Sequence, residues 1–272
     1  MGQEGERATM DEPAVRWDMD TRGVATVLFN RPRVNNAYNA ELVHGVLDAL
    51  DALGARNDLR VVVLRGAGRH FQAGADLTWL DEVSRRPVAD NIAASRATAQ
   101  AVHRLNVAPV PTVALVQGAC FGGGTGIVAA CDVVIAADDA QFAIAETRWG
   151  LVAGIIIAQL NDAIGVRQVR RYALTGERFG ADEARRIGLV HEVVARAKLD
   201  EAGARIVDQL LQNAPQANAD TKAIALEHAW GKLSEQTLER LIEHHALKRR
   251  SDEAREGMAS FREKRPAAWY RT

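Results

Sequence analysis

Cysteine is nearly missing from this 272-residue chain: there are two, Cys120 and Cys131, and they form no CxxC pair. That count leaves no disulfide framework and no cysteine-based zinc site, and both thiols read as reduced, small, buried apolar residues. A charge excess of either sign is missing too. Lys and Arg number 34 against 35 Asp and Glu, a net charge of −1 with a pI near 6.7, so no global basic field draws the chain to nucleic acid or to an anionic membrane. No apolar run approaches the ~18 residues that a membrane span needs. Without a recognisable signal peptide, a cytoplasmic location is expected. Residues 1–13 read as a disordered tail, with Glu6 where a myristoylation signal after Met1-Gly2 would carry Ser or Thr.

Several chemical signatures are missing as well. A dinucleotide fingerprint fails because Ile127 stands at the third glycine position after Gly122 and Gly124, and there is no GK[ST] loop, GxSxG elbow or HExxH. His244-His245 lies in a charged helical stretch and reads as a solvated surface pair, so no metal is expected.

What is present has a recurring rhythm. VRWDMD (15–20) and VATVLFN (24–30) alternate as a hairpin pair with Arg22-Gly23 at the turn. Asn39 can cap a helix with apolar positions at Leu42, Val43, Val46, Leu47, Leu50 and Leu53. LRVVVLRG (59–66), TVALVQG (112–118) and DVVIAAD (132–138) are apolar enough to be buried strands. Strand, glycine turn and helix recur through about residue 165, which predicts an α/β (α+β) body of stacked ββα units over 14–198. From 199 to 272 the chain reads as successive helices broken at NAP (213–215), Gly231 and RRSDE (249–253). No low-complexity linker separates the two parts, so the helices are expected to pack on the body or on a neighbouring subunit.

GACFGGGTGIVAACD (118–132) sets three glycines between a strand and an apolar helix. Bare backbone there lets a ligand approach N–H groups at the positive end of a helix, which is how an oxyanion hole is built. Such a hole usually takes a second N–H from another segment, and HFQAGADLTWL (70–80) supplies a second glycine-bearing turn, with Asp76 placed to cap the helix that follows.

FQAGADL together with GACFGGGTGIVAACDVVIAADDAQFAIAETRWGL resembles the crotonase superfamily, the enoyl-CoA hydratase and isomerase fold, over about residues 15–265. LTGERFGADEARRIGLVHEVV (174–194) is similar to the segment after the active site in that family. The resemblance implies a spiral of ββα units with a C-terminal helical trimerisation region, and an acyl-CoA thioester as substrate. It implies that the N–H groups of Ala75 and Gly123 hold the thioester oxygen as it becomes an enolate. Hydratases of this kind typically carry two glutamates. Here the first position is Gly126 and the second is Glu146, so Glu146 is the expected acid/base, while Ala145 stands where thioester dehalogenases place an aspartate. A single glutamate is also the isomerase pattern, and that alternative stays open. GGGTGIVAACD with RRYALTGERFGADEARRIGLVHEVV resembles 3-methylglutaconyl-type hydratases that also have glycine at the first position. LVAGIIIAQL (151–160) most resembles the isohexenylglutaconyl-CoA hydratases of acyclic terpene degradation. On that resemblance Arg33, the segment Ala73 to Leu77, Phe261 and Lys264 are expected to surround the coenzyme A, the last two from the same or a neighbouring subunit. Asp76, Gly122, Gly126, Trp149 and Gly154 are further substrate-side candidates, and trimers pairing into hexamers are implied. No cofactor beyond the coenzyme A of the substrate is expected. Some members of this fold bind RNA or act as scaffolds, against which stand the near-neutral charge and the lack of an aromatic-basic stripe.

Overall fold

The computed structural model describes residues 12–213, 215–228 and 234–265. The hairpin forms as β1 (Val15–Met19) and β2 (Val24–Phe29), antiparallel, with Val15 opposite Phe29 and Met19 opposite Ala25. Gly23 turns the chain at φ +80°, where a side chain would also strike the Asp58 carbonyl oxygen at 2.0 Å. Asn39 caps α1 (Ala40–Gly54), its side-chain oxygen accepting from the Leu42 N–H at 3.1 Å. The three apolar runs become β3 (Val61–Gly66), β4 (Thr112–Val116) and β6 (Val133–Ala137), which join in parallel; with β9 (Glu192–Val194) the sheet order is β1-β2-β3-β4-β6-β9.

Both faces of the central strands β3, β4 and β6 are covered, which is why these are largely apolar, whereas the edge strand β1 is mostly exposed. Val62 and Leu64 face a core shared with α1 and α3 (Val88–Asn106), whereas Val61 and Val63 face Leu199, Ala202 and Val207 of α7 (Leu199–Gln212). Ile206, Leu210 and Leu211 pack, partly buried, against this second face of their own chain.

A smaller sheet joins β5 (Ala119–Phe121), β7 (Gln141–Ala143) and β8 (Phe179–Gly180), and Gln72 bridges to Cys120 at its edge. Each long strand therefore feeds a short one across a turn, as β4 feeds β5 through Gly118, and the unit closes with a helix, here α4 (Gly123–Ala129). This is the expected ββα repeat. The remaining helices are α2 (Leu77–Ser84), α5 (Ile157–Thr175), α6 (Ala181–Ile187), α8 (Pro215–His228), α9 (Glu235–Lys248) and α10 (Asp252–Arg262).

The helices after 199 pack on the body, α9 against α3 and α10 against the turn that carries Trp149. The approach of α10 is close: a Cβ on Gly257 would lie 2.4 Å from the Trp149 carbonyl oxygen. Of the expected tail, residues 1–11 lie outside the described residues, as do Gly231 and 266–272. Glu12 and Pro13 are held, because the Asn30 side chain donates to Glu12 Oε2 at 3.1 Å and to the Pro13 carbonyl at 3.2 Å. His245, read as a surface residue, is instead 7% exposed and bonded to Ser95, because α9 turns that face onto α3. Among the described residues no helix is long and apolar enough to cross a membrane, and no group of three His, Cys, Asp or Glu could hold a metal ion.

Candidate active site

Two backbone N–H groups converge on one cleft. The turn after β3 is pinned by Tyr38, whose N–H donates to the Gly74 carbonyl and whose carbonyl accepts from the Asp76 N–H, both at 2.9 Å. These bonds bracket Ala75 and leave its N–H without an acceptor among the described residues. Asp76 starts α2, accepting from Thr78 and Trp79 N–H at 3.1 and 3.4 Å, and its other oxygen meets Arg31 at 3.3 Å. The second N–H belongs to Gly123, first residue of α4, where no intrahelical acceptor exists.

The glycine triplet is bare for reasons visible residue by residue. At Gly122, φ is +50° and a Cβ would sit 3.2 Å from Glu146 Oε1; at Gly123 it would meet Tyr38 Cε1 at 2.7 Å; at Gly124, Gln72 Oε1 at 2.6 Å. Side chains here would collide with the groups that build the site. Gly126 has a different neighbour. A Cβ would meet Cγ2 of Ile156 at 2.3 Å, so the space in which many hydratases carry a second glutamate is filled by an isoleucine from the segment after Glu146.

Glu146 opens the 3-10 turn Glu146–Trp149, and its Oε2 is buried without a hydrogen-bond partner. Burial pushes this carboxyl up to about 7, since charge is disfavoured where water and donors are both withheld. Tyr38 is also raised, by burial first and then by the Glu146 charge, with Arg249 opposing.

The outer cleft measures about 530 Å³ and is lined by Ala73, Ala75, Asp76, Leu77, Gly122, Gly123, Glu146, Trp149 and Phe261, all of them sequence candidates. Behind it lies an enclosed apolar cavity of about 40 Å³, walled by Val46, Val102, Ile127, Ala153, Ile155 and Ile156 among others. The two meet at Tyr38, Gly123, Glu146 and His245. Phe261 reaches the cleft of its own chain, edge-on to Trp149 at 5.0 Å between ring centres.

Gly154 and Gly126 lie outside both linings, although their neighbours Ala153 and Ile156 form the inner wall. Arg33 and Lys264 are exposed and also outside, so a role for them at the nucleotide rests on the resemblance alone. Sequence reading missed Tyr38, His245, Arg148 and Arg178, which do line the cleft. For Tyr38 a signal existed in the tyrosine just before the Asn39 cap; for the others nothing local marks them.

Chemically, two unspent N–H donors can take a carbonyl oxygen that gains charge, beside a carboxylate poised near neutrality at the mouth of an apolar chamber. That pairing suits reactions passing through an enolate.

Residues 20–272 match the enoyl-CoA hydratase/isomerase family model. The chain is 36% identical over 196 residues to the hydroxycinnamoyl-CoA hydratase-lyase of Pseudomonas fluorescens, covering 71% of each chain. It is 30% identical over 256 residues to the mitochondrial Delta(3,5)-Delta(2,4)-dienoyl-CoA isomerase of Dictyostelium discoideum, covering 90% of this chain and 87% of that one. The crystal structure of an enoyl-CoA hydratase from Mycobacterium avium superposes with a TM-score of 0.84 at 31% identity, over 95% of this chain and 100% of the other. Fold and site define an enzyme of the crotonase class. The chain belongs to the enoyl-CoA hydratase/isomerase family.

Proposed function

We propose that this enzyme adds water to a 3-branched α,β-unsaturated acyl-CoA of the glutaconyl type, with isohexenylglutaconyl-CoA as the leading substrate. The carrying observation is the buried, unpartnered Glu146 Oε2, at the junction of the cleft holding the two free N–H groups and the apolar cavity. Ala75 and Gly123 N–H receive the thioester oxygen. The Glu146 carboxylate takes a proton from water, whose oxygen bonds to C3 while the double-bond electrons move onto the thioester oxygen. The enolate then collapses, and Glu146 returns its proton to C2. One carboxylate serves both steps, so water and proton are delivered from one side.

The tail assignment is supported by the likeness of LVAGIIIAQL and by the apolar wall of Ala153, Ile155 and Ile156. Burying each tail methylene is worth about 0.8 kcal/mol before ordering costs. A shorter substrate has an observation of its own: an enclosed cavity of about 40 Å³ suits the methyl branch of 3-methylglutaconyl-CoA without any side chain moving. Double-bond isomerisation is favoured by the lone glutamate.

Purified enzyme in ¹⁸O-water separates hydration from isomerisation, because only hydration puts label into the product and isomerisation moves the double bond without it. Ala153→Leu narrows the inner wall, so it should suppress the isohexenyl substrate at least tenfold more than 3-methylglutaconyl-CoA. Equal loss on both would assign the tail to the outer cleft.

A further inference from the structure

A buried cation lies one helical turn beyond His245, where the cleft and the acyl chamber meet. Along α3, Leu105, Val102, Ala101 and Thr98 line the cavity, and the same helix continues, turn by turn, to Ser95 and Asn91. Along α9, His245 lines cavity and cleft, and Arg249 follows one turn later. The pairs Arg96 with Glu239, Ser95 with His245 and Asn91 with Arg249 show the helices antiparallel, so both rows run the same way out of the chamber.

Arg249 is 1% exposed, yet among the described residues it donates to neutral oxygens, the Asn91 carbonyl at 2.7 Å and Ser95 Oγ. No carboxylate among the described residues bonds it. Its Nε and both amide atoms of the fully buried Asn91 have no hydrogen-bond partner. A guanidinium buried without counter-charge, beside an unsatisfied amide, costs several kcal/mol unless something neutralises it. Burial lowers its ionisation to about 10, still far above neutrality, so the charge is present at working pH. Ser95 Oγ accepts from Arg249 and shares a hydrogen bond with His245 Nδ1 at 2.9 Å.

We infer that Arg249 and Asn91, acting with Ser95 and His245, form an anion-recognition cluster behind the junction of cleft and acyl chamber that selects thioesters whose acyl chain carries its own carboxylate. A dicarboxylic monothioester supplies the missing counter-charge, and the free Arg249 Nε–H and Asn91 Nδ2–H supply donors. The inference deepens the glutaconyl reading of the same site and rests on it for the substrate's double bond, not for its charge.

Binding of saturated analogues tests it apart from catalysis. Calorimetry should give wild-type enzyme at least tenfold tighter binding of glutaryl-CoA than of valeryl-CoA, which has the same chain length and no carboxylate. Arg249→Met should erase that preference while leaving the valeryl-CoA Kd within about twofold, and Arg249→Lys should restore part of it. Asn91→Leu gives a second, uncharged probe and should reduce the preference severalfold. Equal wild-type affinity for the two thioesters overturns the inference, as does an Arg249→Met variant that weakens both alike, the mark of a helix pin. Preference for glutaryl-CoA in an enzyme that hydrates nothing would instead sink the hydratase proposal and keep this one.

Discussion

Glu146 carries two opposing consequences of one environment. As a base it must be ionised, and with its carboxyl pushed up to about 7 the hydration kcat/KM should rise with pH through that value and level off above it. Glu146→Gln should lower the plateau about a hundred- to ten-thousandfold and abolish the acid limb, read as loss of the enone thioester absorbance across a pH series. Stability should run the other way. A carboxyl raised on folding binds its proton more tightly in the native state, so its contribution is present below the unfolded value and is lost as pH climbs through 7. The Gln variant should accordingly melt higher than wild type at pH 8 and no higher at pH 4; a melting point lowered at pH 8 would mean that the carboxylate has a stabilising partner. Gly126 supplies the companion test. With Ile156 Cγ2 where its Cβ would be, Gly126→Ala should cost about 1–3 kcal/mol by overpacking. Adding Ile156→Ala should recover part of that, which urea melts of the four proteins in the cycle would show.

At the level of elements, α10 is the part whose placement the site most depends on. Gly257 lets it lie against the Trp149 backbone, and four residues on Phe261 meets the cleft. Gly257→Leu should lift α10, raise KM for enoyl-CoA severalfold and change kcat less, since Ala75, Gly123 and Glu146 stand on other elements; steady-state kinetics with the longest soluble substrate gives both. The same division explains what the sequence disclosed. The two glycine turns were legible because each needs a particular residue within a short contiguous stretch: glycine where a Cβ would strike Tyr38 or Gln72, an aspartate cap just after Ala75; the expected role of Glu146 came from the family resemblance instead. The parallel strands were legible from their unbroken apolar runs. His245, Ser95 and Arg249 were not, since each is an ordinary residue on an ordinary helix and acquires meaning only when α3 and α9 pack antiparallel, 150 residues apart in sequence at the Ser95–His245 bond. That Ala153 lines the inner cavity and Gly154 does not is hidden for a related reason: a short 3-10 turn follows Ala153, and its register cannot be counted from composition.

For the whole molecule, the resemblance implies trimers that pair into hexamers, and light scattering at micromolar concentration should give three or six times the 29.5 kDa chain mass. How the active sites divide among subunits is a separate matter. Ile206, Leu210 and Leu211 are occupied with their own sheet, so assembly must draw on other faces; Leu174 at 73% and Val166 at 57% exposure on α5 are apolar and available. Ala75, Gly123, Glu146, Trp149 and Phe261 all line one cleft of one chain. A site complete within a chain predicts that subunits fail independently. Glu146→Gln and Gly257→Leu chains, unfolded together and refolded into mixed oligomers, should then show no more activity than the average of the two variants alone. Were α10 exchanged between neighbours, the Glu146→Gln subunit would lend its intact α10 to a subunit with an intact base, and the mixture would regain a substantial part of wild-type activity. Such a gain would mean that Phe261 serves the next subunit's cleft in solution, and that the contact between Gly257 and Trp149 forms across subunits.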